Sequence, residues 1–132
     1  LHGRSDDTIK IAGKRLGPAE VESVLVSHPA VSESAAIGVP DEIKGEGIVC
    51  FAVLKPGISA GEPLREELME LTVKHMGKAM KPNKILFVND LPKTRNAKIM
   101  RRLIRARYLG KDVGDISNLE NPEALEAVSK AV

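Results

Sequence analysis

Residues 48 to 54 read IVCFAVL, an uninterrupted apolar run closed by Lys55-Pro56-Gly57. It is far shorter than the roughly 20 residues that cross a bilayer. A short apolar run ended by a turn signal fits a central, buried β-strand. The rest of the chain has to supply the elements that bury it.

The flanking patterns supply them. TIKIAGKRLG (8–17) alternates Ile9 and Ile11 with polar residues and then meets AGK and RLG, which predicts a hairpin with a glycine-bearing turn. In GPAEVESVLVSHP, Pro18 suits a first helical turn and Glu20 and Glu22 favour its positive end. Val21, Val24 and Leu25 form that helix's apolar stripe, and Pro29 stops it. AVSESAAIGVP predicts a strand with Val31, Ala35, Ile37 and Val39 on one face, and VPDEIKGEG a polar corner before the central strand. GEPLREELMELTVKHMG is the clearest helix, with Pro63 near its start, Leu64, Leu68 and Leu71 on a face, and Gly77 at its end. KILFVND (84–90) predicts a short strand and KIMRRLIRARYLG an amphipathic helix with Ile99, Leu103 and Ile104 inward and Gly110 as the stop. Beyond it, the sequence is polar with a weak helical pattern near its end. The order ββ-α-β-β-α-β-α predicts an α+β domain: a small, mostly antiparallel sheet with an N-terminal β-hairpin and helices packed on it.

A chain of 132 residues, 42% apolar and 29% charged, suits one soluble globular domain. The single cysteine, Cys50, lies in the apolar run, so no internal disulfide forms and a buried small hydrophobe in a reducing, cytoplasmic setting is expected. No segment reads as a signal peptide or a membrane span. The first residues, LHGRSDD, lack an initiating methionine, and the chain is expected to be a C-terminal piece of a larger protein.

Charge is distributed unevenly. Residues 93 to 111, KTRNAKIMRRLIRARYLGK, hold eight lysines and arginines and no acid, so the rest of a chain of net charge +2 carries −6. A positive region on an acidic domain points to an anionic partner or ligand. Single-strand nucleic-acid binding calls for aromatic platforms among the cations, and Tyr108 is the one aromatic in the segment. No helix and tight turn precede the basic helix in the helix-turn-helix manner. His28 reads as a helix C-terminal partner more readily than as a metal ligand, since no second His or Cys stands at ligand spacing. A P-loop, a GxGxxG after a strand, HExxH and a CxxC pair are all missing from the sequence. GRSDD and AGKRLGP read equally well as turns or as places where a backbone and its cations approach a phosphate.

Taken in order, GRSDDTIKIAGKRLGPAEVES, HPAVSESAAIGVPDEIKGE and LPKTRNAKIMRRLIR closely resemble the C-terminal domain of the adenylate-forming acyl-CoA synthetases, nearest to the short-chain acetyl-CoA and propionyl-CoA enzymes. The resemblance spans residues 3 to about 120. It implies a lid domain divided into a hinge segment (1–7) from a missing N-terminal domain, the lid proper (8–110) and a C-terminal extension (111–132). The implied reaction has two steps: a carboxylic acid and Mg-ATP give an acyl-adenylate and pyrophosphate, and coenzyme A then displaces AMP. The small domain rotates against the N-terminal domain between the steps. Carried over residue by residue, Asp6 matches the hinge, and Arg4 and Arg15 match arginines that contact the adenylate and the ATP phosphates. Ala12 and Gly13 match the turn lining the coenzyme A tunnel. Lys98 matches the adenylation lysine, and Val26, His28 and Val31 fall where some relatives hold Mg2+, partly through backbone carbonyls. The chain departs from the family twice. Ala97 replaces the glycine usual before the lysine, and Val73, beside Lys74, stands where an arginine contacts coenzyme A. Neither a nucleic-acid nor a membrane partner is expected. An adenylation domain that loads a carrier protein is the alternative enzyme, and a basic nucleic-acid-binding module the alternative outside catalysis.

Overall fold

The apolar run lies within β4 (Gly45–Leu54), the central strand of a five-stranded sheet. The computed structural model describes residues 9–11, 14–41, 45–59, 61–78, 81–95, 99–112, 114, 116, 117 and 119–130. β1 (Ile9–Ile11) and β2 (Lys14–Leu16) form the expected hairpin, and α1 spans Pro18–Val26. β3 (Val31–Asp41) runs antiparallel along one edge of β4. The other edge is shared: Ile11 of β1 pairs with Gly45, and β5 (Lys84–Val88) pairs in parallel with Val49 to Val53. The remaining helices are α2 (Glu62–Met76), α3 (Arg101–Tyr108) and α4 (Ala124–Ser129). The expected α+β class and mostly antiparallel sheet are what is observed.

Both faces of β4 are buried because helices cover both. Ile48, Cys50 and Ala52 pack with Val21 and Leu25 of α1 and Leu68 of α2. Phe51 and Val49 pack on the opposite side with Ile104 of α3 and Val128 of α4, and the Tyr108 ring stands edge-on to Phe51 at 5.8 Å. The helix stripe on α2 runs through Leu64, Leu68, Met69 and Met76 against the core, with Leu71 outside that cluster. The single apolar face expected for β3 is corrected by a bulge. Register shifts between Val31 and Glu33, so Val31 joins the α1 side while Ala35, Ile37 and Val39 face α3 and α4. One extra residue inverts the alternation on either side of it.

Two glycines have steric reasons. Gly77 ends α2 at φ 91°, a left-handed conformation costly for other residues. A side chain on Gly47 would collide with Asn83, whose N–H donates to the Ile48 carbonyl at 2.7 Å as β5 begins. No helix among the described residues is long and apolar enough to cross a membrane.

Cys50 is fully buried. Burial, and secondarily the charge of Glu22, push its thiol well above the ordinary range. The unfolded chain therefore loses this proton at a lower pH than the folded chain does. The group's stabilising contribution is present below the ordinary thiol range and is lost as pH rises through it towards the folded value. A thiol reagent at about pH 8 is expected to leave the native chain unlabelled and to label it in denaturant; rapid labelling of the native chain would contradict this burial.

Candidate functional site: a clamped basic loop

The basic run is sorted by the fold into cations with internal partners and cations without them. Lys93 donates from Nζ to Glu33 Oε1 at 2.6 Å, with Asp90 at 3.9 Å. Arg101 grips Glu22 with two donors, Nε to Oε2 at 2.7 Å and Nη2 to Oε1 at 2.5 Å. Arg105 donates from Nε to the Gly38 carbonyl at 2.6 Å, and Arg107 to Glu126 at 2.7 Å. Arg95, 90% exposed, reaches Glu120 at 3.8 Å. The side chains of Arg102 and Lys111 make no hydrogen bond or ion pair with any described residue. Most of what looked like a polyanion-binding stripe holds the domain together.

Within this frame the segment carrying Lys98 springs from a closed base. Lys93 and Ile99 face each other in an antiparallel bridge, and Met100 N–H donates to the Pro92 carbonyl at 3.0 Å. A second layer comes from far along the chain. Thr94 bridges Leu119, Glu120 N–H donates to the Lys93 carbonyl at 2.8 Å, and Lys93 N–H donates to Asn121 Oδ1 at 2.8 Å. The Asn121 amide nitrogen donates to Asp90 Oδ2 at 2.7 Å and to the Leu91 carbonyl at 2.8 Å. One half-buried side chain thus satisfies backbone and carboxylate groups on both sides of Pro92, where proline's missing N–H leaves the chain short of a donor.

The other expected site residues are distributed as follows. Arg4, Asp6, Ala12, Gly13 and Lys98, with Ala97, lie outside the described residues. Arg15 lies in β2, paired with Lys10 of β1. Val26 ends α1 and is 44% exposed, while Val31 is buried at the start of β3. His28 between them accepts the Ala30 N–H at Nδ1 (3.0 Å) and meets Glu67 Oε2 at Nε2 (2.9 Å). An accepting Nδ1 places the proton on Nε2, which donates to Glu67. Both ring nitrogens are thereby engaged, one by the backbone just past α1 and the other by Glu67 of α2. The His28 carbonyl accepts the Val31 N–H at 3.1 Å. Among the described residues no group of three or more His, Cys, Asp or Glu could hold a metal ion.

Residues 20–98 match the family described as the AMP-binding enzyme C-terminal domain. The chain belongs to this family. It is 52% identical over 128 residues to an acetyl-coenzyme A synthetase of Methanothrix thermoacetophila, covering 97% of this chain and 19% of that protein. It is 48% identical over 130 residues to a 3-hydroxypropionyl-coenzyme A synthetase of Sulfurisphaera tokodaii, covering 98% and 20%. Among solved structures it is similar to a Brucella canis acyl-CoA synthetase, with a TM-score of 0.72, 45% identity, and coverage of 78% of this chain and 19% of that one. The chain spans about a fifth of the length of the curated relatives it matches.

For an AMP-binding enzyme C-terminal domain, the residue that sequence reasoning missed is Asn121. Its one local signal is the Asn-Pro pair that starts a turn before α4. Its partners, 28 to 31 residues away, are invisible to any local pattern. Asn121→Ala removes hydrogen bonds to both flanks of Pro92. It is expected to lower stability by about 1–3 kcal/mol and to speed hydrogen exchange at Lys93 more than in β4; unchanged exchange at Lys93 would argue against the clamp.

Proposed function

We propose that this chain is the C-terminal lid of an AMP-forming acyl-CoA synthetase, of the kind that activates acetate or a similarly short acid. The observation that carries the reading is the closed base at Lys93 and Ile99, which ties the two sides of the basic segment to a packed domain. Family membership and relatives named as acetyl- and 3-hydroxypropionyl-coenzyme A synthetases support it. On this reading residues 1–7 are the hinge, 8–110 the lid and 111–132 its extension, and the partner is an N-terminal domain of the same polypeptide.

The chemistry follows from charge. When a carboxylate attacks the α-phosphorus of ATP, two anionic groups approach and negative charge gathers on the pentacoordinate phosphorus and the departing pyrophosphate. The ammonium of Lys98, delivered on its loop, offsets that charge between carboxylate and α-phosphate. Arg4 and Arg15 supply donors to the adenylate and the phosphates. In the second step the coenzyme A thiol attacks the acyl carbon and AMP leaves. Asp6 is the pivot that exchanges the lysine loop for the hairpin turn at Ala12 and Gly13, which lines the thiol's path. For the nucleotide end of coenzyme A, the groove of about 570 Å³ beside Val73 offers Lys74, Lys78 and Lys81 in place of the family's arginine. Mg2+ accompanies ATP. A further Mg2+ at Val26, His28 and Val31 would be held by backbone oxygens at the negative end of α1, since the His28 ring is already engaged. Such an ion would neutralise charge near the helix end.

Lys98→Ala in the full-length protein is expected to lower acid-dependent ATP–pyrophosphate exchange by about 10²–10³-fold. Thioester formation from a supplied acyl-adenylate and coenzyme A should stay within about threefold. Equal loss in both half-reactions would exclude a lysine specific to adenylation. Acyl-adenylate formation with no turnover on free coenzyme A would favour a carrier-protein substrate instead.

A further inference from the structure

Arg102, Arg105 and Lys111 line one groove of about 300 Å³ between α3 and the Ala36–Gly38 stretch of β3. β3 pairs with β4 on one side alone, so this groove runs along the sheet's free edge. Its neighbours at the rim are already satisfied. Arg101 is held by Glu22, the Ala36 N–H donates to Glu22 at 2.8 Å, and the acid lining the groove, Asp112, accepts the Gly114 N–H at 2.9 Å. Arg105 differs. Its Nε is fixed on the Gly38 carbonyl, while its two Nη nitrogens have no partner among the described residues. The guanidinium is oriented in advance, so little rotamer freedom is left to lose when its remaining donors meet an acceptor. Arg102 and Lys111, exposed and without partners, flank it.

We propose that this groove receives an acidic segment of the polypeptide that lies outside these 132 residues, and that the contact forms when the lysine loop is delivered for adenylation. The inference rests on the reading proposed above. Chain geometry supplies the coupling. Arg102 is four residues beyond Lys98, so their Cα atoms lie at most about 14 Å apart. A neighbour that takes Lys98 into its pocket brings its surface against the start of α3. With Arg101 already paired to Glu22, the groove keeps Arg102, Arg105 and Lys111 against the single carboxylate of Asp112, and this excess of positive charge makes it attractive to carboxylates. Arg102 and Lys111 are therefore positioning residues that favour one arrangement of the lid.

The test uses the full-length protein with Arg102→Glu/Lys111→Glu, the single change Arg102→Gln, and Arg102→Lys. The double variant is expected to lower ATP–pyrophosphate exchange about tenfold at low salt while thioester formation from supplied acyl-adenylate changes less than about twofold. Arg102→Gln should give a smaller loss of the same kind, and Arg102→Lys should restore exchange nearly to wild type. Raising the salt concentration should depress exchange in the wild type more than in the double variant. Because neither side chain makes a hydrogen bond or ion pair with a described residue, thermal midpoints should change little. Wild-type exchange in the double variant, or equal losses in both half-reactions, overturns the proposal. So does saturable binding of inorganic phosphate to this chain that Arg102→Gln abolishes, which would make the groove a small-anion site. A wild-type protein without any exchange activity would instead remove the acyl-CoA synthetase reading on which the proposal stands.

Discussion

Glu22 is the side chain on which the two halves of this structure converge. It projects from α1, is 8% exposed, and accepts from the free-edge Ala36 N–H and from the Arg101 guanidinium at the start of α3. α1 covers one face of the sheet and α3 the other, so the carboxylate ties the two helical layers together around the edge of β3. Breaking a buried pair of this kind costs about 3–5 kcal/mol, a large share of the roughly 5–15 kcal/mol by which a whole domain is stable. The same contact covers a backbone donor that an open sheet edge would otherwise present to another strand. Arg105 does the same for the Gly38 carbonyl two residues on.

That arrangement shows how much of a basic segment can serve stability. Lys93, Arg101 and Arg107 are paired with acids of the domain itself, and Arg105 is fixed on a carbonyl through Nε alone. Each such contact fixes a point on the frame around the closed base at Lys93 and Ile99. Arg102 and Lys111 are left over, exposed at the surface.

Much of the fold was legible because its signals are local. IVCFAVL declared a central strand, Pro63 and Gly77 bracketed α2, and Leu103 and Ile104 set the inward face of α3. What was hidden depends on distance or parity. The bulge at Val31 and Glu33 inverts a face that simple alternation assigned to one side, and nothing in Ser-Glu-Ser announces it. The Glu22–Arg101 pair joins residues 79 apart, and Glu22 read locally was an acid favouring a helix start. The polar stretch after Gly110 read as an extension, yet Leu125 and Val128 are buried and Asn121 holds the loop base. Lys98 itself was singled out by its resemblance to a family motif, since composition and periodicity alone leave it one cation among eight.

The stitching of residues 119 to 121 onto Asp90, Leu91, Lys93 and Thr94 has a consequence for exchanging parts between enzymes of this kind. Gly110, which closes the pattern of α3, is a poor place to join two sequences, because residues 90 to 94 before that helix are bonded to residues 119 to 121 after it. A hybrid that takes its loop from one parent and its tail from another would mismatch an amide, a carboxylate and the Thr94–Leu119 bridge together. The unit of inheritance, on structural grounds, runs from β5 through α4.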